Sequence, residues 1–154
     1  GSLTERVQSL SNQFSLELLG QHTQIPHDNE LSLLHANGET SYQAREILLW
    51  GDHQQWVFAR SIIPQAFVDS ELSGLGREPL GKRLFNDTRF TRSAFQLCTM
   101  PASQFGMGGN QTLWGRRSLF TLDNYSMIVA EVFLPASPAY GESVTSKVES
   151  EKQL

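Results

Sequence analysis

Apolar and polar residues alternate with a period of two along much of this chain. In "NQFSLELLG", Phe14, Leu16 and Leu18 fall on one face, which predicts a strand. "YQAREILLW" (42–50) and "QWVFARSIIP" (55–64) are two further strand-like runs. The turn signal "GDHQ" between them predicts a hairpin. "TRFTRSAFQLCTM" (88–100) predicts a fourth strand. "LWGRRSLFTL" (113–122) and "MIVAEVFLP" (127–135) predict a last hairpin turning at Asp123-Asn124. Ser2 with Glu5 three residues on has capping-box spacing and predicts a helix from Leu3 to about Leu10. Residues 21–41 hold Pro26, Asn29, Asn37 and Gly38 and read mostly as loop. Residues 64–85 mix helix formers with Gly74, Gly76, Pro79 and Gly81 and read as short helices and turns. Six strands in sequential hairpins with a few helices predict an antiparallel α+β domain over residues 1–140. The polar stretch 141–154, "GESVTSKVESEKQL", is expected to be a disordered tail.

The same alternation assigns each strand charge to a face. In the last strand Met127, Val129, Glu131 and Phe133 share one side, and Ser126, Ile128, Ala130, Val132 and Leu134 the other. Both sides are apolar, so both are expected to be covered and Glu131 to be buried. Arg45 shares a face with Gln43, Ile47 and Leu49. Arg116 sits with Trp114, Phe120 and Leu122, Arg117 with Leu113 and Leu119, and Arg92 with Phe90 and Ala94. Arginine does not shed its proton, so a buried one must meet an anion. The pattern therefore predicts a polar cavity inside an apolar fold. A structural ion pair within the sheet and a ligand-facing arrangement of Arg45 and Glu131 fit that pattern equally. Arg60 and Arg89 are expected to be exposed, with their stems over apolar neighbours.

Composition narrows the function. The chain has 154 residues, 39% hydrophobic and 18% charged, with a net charge of −4, which argues against a nucleic-acid partner. One cysteine, Cys98, excludes an intramolecular disulfide and fits a cytoplasmic protein. It is expected to be core packing. No apolar run reaches the length of a membrane span. His22, His27, His35 and His53 fall in loop-like or terminal segments without metal-ligand spacing, and are expected at the surface. "GMGG" (106–109) lacks the Lys-Ser/Thr ending of a phosphate loop. Ser61, Ser93 and Ser118 lack the context of a catalytic nucleophile.

"REILL" (45–49), "PLG" (79–81), "TR" (91–92), "LWGRRS" (113–118) and "EVFLPASPAY" (131–140) together resemble the chorismate pyruvate-lyases of bacterial ubiquinone biosynthesis. The match runs from about Ser2 to Tyr140, and members of that family usually carry a segment ahead of the part matching "SLT". The resemblance implies a six-stranded antiparallel sheet with flanking helices around a buried site under flap-like segments. It implies conversion of chorismate to 4-hydroxybenzoate and pyruvate without metal or organic cofactor, by a cytoplasmic protein expected to be a monomer. By position, Arg45 matches the arginine that grips the ring carboxylate of the product, and Leu80 and Leu3 match backbone contacts to the same group. Glu131 matches the carboxylate that meets the ring hydroxyl. Arg92, Arg116 and Arg117 are candidates for the enolpyruvyl carboxylate. The effector-binding domains of GntR-type transcription regulators resemble the same fold, so the alternative is a non-catalytic binding domain for an aromatic carboxylate.

Overall fold

The computed structural model of this chain describes residues 3–35, 40–73 and 80–140. Helix α1 spans Leu3–Leu10 as the sequence predicts; its Ser2 cap lies outside the described residues. Strand β1 (Phe14–Thr23) leads to α2 (Asp28–Leu34), in a span the sequence reads mostly as loop. The missed signal lies in the two acids of its first turn, Asp28 and Glu30, which suit a helix N-terminus. The Glu30 carboxylate accepts the His27 N–H at 2.9 Å, a role usually flagged by a Ser or Thr at the cap.

Strands β2 (Tyr42–Gly51) and β3 (Gln54–Pro64) form the expected hairpin. Its two turn residues, Asp52 and His53, both have positive φ (49° and 69°), the geometry that matches the twist of a two-residue hairpin. The Asp52 carboxylate accepts the N–H groups of Asn12 and Gln13 at 2.7 and 3.0 Å, tying the turn to the start of β1. Gly51 is required here, because a Cβ would lie 2.4 Å from the Trp56 ring.

Two short helices, α3 (Gln65–Asp69) and α4 (Leu80–Phe85), follow as predicted. The run 88–100 is not one strand but two, β4 (Thr91–Arg92) and β5 (Gln96–Pro101). Both pair with β6 (Thr112–Leu122), with Arg92 opposite Phe120 and Gln96 opposite Arg117. Three residues, 93–95, thus face two on β6, the extra-residue arrangement of a bulge. Ser93 fills the break: its N–H donates to Leu119 O and its Oγ accepts the Leu119 N–H, each at 2.8 Å. Strand β7 is Tyr125–Phe133. The result is one antiparallel sheet of seven strands in the order β1-β2-β3-β7-β6-β4, with β5 also on β6. The predicted α+β class stands. The strand count rises from six to seven because the bulge splits one run.

Both faces are covered, as the two apolar sides of β7 require. On the inner face, α3 and α4 set Phe67, Leu80 and Leu84 against Ile63, Phe120, Met127 and Val129. Below them Ile47, Leu49, Val57, Ala59 and Phe133 form a second cluster with Leu16 and Leu18. On the outer face, Leu34 of α2 packs on Tyr42, Ala44, Ile62 and Ile128. The short turn 102–105 seats Ala102 against Leu113, Val132 and Leu134. Side chains such as Ile63 and Met127 are fully buried, each worth about 1.5–3 kcal/mol over exposure. The end of "FLPASPAY" is pinned by one hydroxyl. Tyr140 Oη accepts the Trp114 N–H at 2.6 Å and donates to Phe133 O at 2.8 Å.

Two single-residue expectations are corrected. Cys98 is exposed, because β5 is an edge strand with little over it. Arg60 is largely buried, its side chain 13% exposed, because α2 brings Glu30 onto the same face. Arg89, 55% exposed, and the four histidines lie at the surface as expected. The stretch 141–154 lies outside the described residues.

Candidate active site

Residues directly opposite one another in an antiparallel ladder share a face, so the register locates each predicted site residue. Arg45 stands opposite Ser61, Ser61 opposite Val129, and Val129 opposite Ser118. The next row reads Ile47, Ala59, Glu131, Arg116 and Leu97. Arg92 enters the face beside Phe120. Arg45, Glu131, Arg116 and Arg92 thus share the inner face, in a polar band between the two apolar clusters. The band runs from β2 to β6, three strand spacings or about 14 Å.

Arg45 is 1% exposed. Other contacts hold its side chain, but its buried Nε–H meets no acceptor. Arg116 is 7% exposed and its Nε donates to Glu131 Oε1 at 3.2 Å. The bulge at 93–95 brings the Phe95 ring to 4.2 Å from the Arg116 guanidinium and 5.1 Å from that of Arg92. Such stacking orders both cations, of which Arg116 is buried and Arg92 exposed. Glu131, 14% exposed, is pulled two ways. Burial pushes its carboxyl above the ordinary value, and the nearby charges of Arg116 and Arg92 only partly offset that. Glu131 therefore keeps its proton to higher pH than an ordinary glutamate.

Leu80 opens α4, is 2% exposed and packs in the same cluster as Val129, so the start of α4 lies over this band. Leu3 opens α1, which packs against both β2 and α4. The fold thus gathers Arg45, Glu131, Arg92, Arg116 and the start of α4 at one face, with α1 packed against β2 and α4.

Arg117 is separated from them. It stands opposite Ala130 and Gln96 on the outer face, and its Nε donates to Gln96 Oε1 at 2.7 Å. Period-two alternation already put Arg116 and Arg117 on opposite sides; only the pairing shows which side Arg45 shares. The outer face carries its own charged cluster. Arg60 donates to both oxygens of Glu30 at 2.9 and 3.0 Å and to Glu46 at 3.3 Å. It borders a cavity of about 670 Å³ floored by Ile128, Ala130 and Val132. No group of three or more metal-ligating side chains occurs among the described residues. No helix among them is long and apolar enough to cross a membrane.

Comparison with solved structures defines the class of fold. The chain superposes on the effector-binding domain of the Bacillus subtilis trehalose repressor with a TM-score of 0.61. That match covers 77% of this chain and 88% of that one at 8% identity. The ligand-binding domain of a putative GntR-family regulator from Bordetella bronchiseptica gives 0.60, covering 82% and 86% at 13% identity. At such identities the likeness is one of fold alone.

The sequence comparisons are more specific. The family model for chorismate lyase matches residues 1–145. A probable chorismate pyruvate-lyase of Pseudoalteromonas atlantica is 43% identical over 93% of this chain and 79% of that protein. The chorismate pyruvate-lyase of Citrobacter koseri is 33% identical over 90% and 80%. The chain belongs to the chorismate lyase family.

Proposed function

We propose that this chain is a cytoplasmic chorismate pyruvate-lyase that eliminates pyruvate from chorismate and leaves 4-hydroxybenzoate. The observation that carries this reading is the gathering of three arginines, Arg45, Arg92 and Arg116, with the Glu131 carboxylate on the strands of the inner face. Chorismate is a dianion, and arginine is the side chain best suited to bind each of its carboxylates.

The roles follow from position. Arg45 holds the ring carboxylate by bidentate hydrogen bonding, helped by the N–H groups of Leu80 and Leu3. The small side chains of Ala59 and Ser61 between Arg45 and Glu131 give the ring a floor. Glu131, engaged by Arg116 through Oε1, turns its other oxygen to the ring hydroxyl. Arg116 and Arg92 take the enolpyruvyl carboxylate and stabilise the negative charge that grows on the departing group.

In the reaction the C3–O bond breaks, C4 loses its hydrogen, and the enolpyruvyl methylene gains one to become the methyl group of pyruvate. Aromatisation of the ring supplies the driving force. A concerted route passes the C4 hydrogen directly to the methylene carbon, and the protein then contributes orientation and charge stabilisation. No step calls on a metal or organic cofactor.

The test is to mix the protein with chorismate, without added metal, and follow both products. Equal formation of 4-hydroxybenzoate and pyruvate supports the lyase. Binding of chorismate without turnover rejects it and leaves a non-catalytic aromatic-acid binding domain.

A further inference from the structure

Two serines on the inner face are nearly buried. Ser61 is 4% exposed and Ser118 is 3% exposed. Among the described residues no side-chain hydrogen bond of the fold involves either Oγ, and neither is among the polar atoms sealed from solvent without a partner, which are Arg45 Nε and Trp56 Nε1. Other serines of this chain do find partners: Ser93 caps the bulge, Ser126 pairs with Thr121, and Ser137 accepts the Ala139 N–H. A hydroxyl that the fold leaves unused beside a cation, and does not seal away, is placed for a ligand or water to complete it.

Their positions point to what completes them. Ser61 stands directly opposite Arg45, a placement that brings Cβ atoms within about 4.5–5.5 Å. Ser118 lies two residues from Arg116 on the same face. It is also two residues from Phe120, whose partner is Arg92. Val129 separates the two serines, so they sit two strand spacings apart, about 10 Å. Each hydroxyl is thus beside the cation assigned to one end of a substrate with two carboxylates.

We propose that Ser61 and Ser118 are substrate-binding residues, one for each carboxylate of the dianion. Ser61 donates to the ring carboxylate beside Arg45, and Ser118 donates to the side-chain carboxylate beside Arg116 and Arg92. This assignment rests on the lyase reading, and it has a consequence that reading alone lacks. The product keeps the ring carboxylate and has lost the other, so the two serines differ in which ligand they serve.

The experiment compares Ser61→Ala and Ser118→Ala with the unaltered protein in three measurements: steady-state kinetics with chorismate, calorimetric titration with 4-hydroxybenzoate, and thermal unfolding without ligand. Ser61→Ala should weaken chorismate and 4-hydroxybenzoate alike, by about ten-fold or more, the usual loss for a hydrogen bond to a charged group. Ser118→Ala should raise the KM for chorismate by a similar factor and leave 4-hydroxybenzoate affinity unchanged. Both variants should unfold at or above the temperature of the unaltered protein, since no partner in the fold is lost. Equal effects of Ser118→Ala on both ligands, or none on either, would overturn its assignment. A lower unfolding temperature, or failure to fold, would show a structural role and overturn the proposal for that serine. If the unaltered protein binds chorismate without turnover, the lyase reading fails by itself. The serine assignments are then decided by the two binding affinities.

Discussion

Two charged clusters sit back to back on the same strands, and they are built differently. On the outer face Arg60 meets two acids, Glu30 and Glu46, through three hydrogen bonds of 2.9 to 3.3 Å. Burial raises the Glu30 carboxyl, but Arg60 and the His27 N–H more than reverse it, so the group ends below its ordinary value. On the inner face Arg116 meets Glu131 through one hydrogen bond of 3.2 Å, Arg45 and Arg92 stand on the same face, and burial leaves Glu131 above its ordinary value. The first cluster has anion to spare and is complete as it stands. The second brings three arginines and one glutamate held above its ordinary value to one face, with two nearly buried serines beside them. A buried charge is therefore weak evidence of function until the opposite charges on its own face are counted.

The largest effects should come from the inner cluster. Arg45→Ala is expected to weaken 4-hydroxybenzoate binding by roughly 2–5 kcal/mol, the range for truncating one partner of a buried charge pair. Calorimetric titration measures it directly. Glu131→Ala should lower kcat strongly in the chorismate assay. Rates like those of the unaltered protein in both variants would remove the site assignment.

Arg60→Ala, on the outer face, should instead cost stability. The estimate is about 3 kcal/mol, the low end for breaking a buried pair because Glu46 is partly exposed. Chemical denaturation checks this. The contrast between the faces breaks if this variant weakens 4-hydroxybenzoate binding as much as Arg45→Ala does.

The two acids should also carry opposite pH dependence. The folded state holds the Glu131 proton more tightly than the unfolded chain, whose ordinary value is 4.5. That contribution to stability is complete below 4.5 and is lost as pH rises through the raised value. Glu30, lowered on folding, contributes above 4.5 and loses its contribution as pH falls. Denaturation across pH should therefore show Glu131→Gln flattening the high side of the profile and Glu30→Gln the low side. Identical changes from both would contradict the assigned environments.

The smallest effect tests a region outside both clusters. Tyr140→Phe removes the hydroxyl that joins Trp114 N–H to Phe133 O, and should cost about 1–2 kcal/mol of stability. A shift in thermal unfolding with unchanged 4-hydroxybenzoate affinity is the expected readout.

Much of this was legible in the sequence because it depends on neighbours along the chain. Period-two alternation marked the long strands and separated Arg116 from Arg117. Turn residues marked both hairpins, and the two apolar sides of "MIVAEVFLP" required Glu131 to be buried. Where the sequence failed, distant residues decided. Helix α2 lacks a conventional cap and is held by a glutamate that also binds Arg60. The run 88–100 breaks because Ser93 fills a bulge against Leu119, which lies 26 residues away. Cys98 looks like core by composition, yet it sits on an edge strand with little over it.

The alternating pattern, the turns and the presence of charges on apolar faces were set by the order of residues alone. Which charges share a face was not, because that depends on strand register. A shift of one residue in any ladder would move a whole row to the other side. Only the tertiary pairing put Arg45, Ser61, Glu131, Ser118 and Arg116 together and sent Arg60 and Arg117 to the opposite surface. Register is fixed by the packing of both faces at once, which no single stretch of the chain contains.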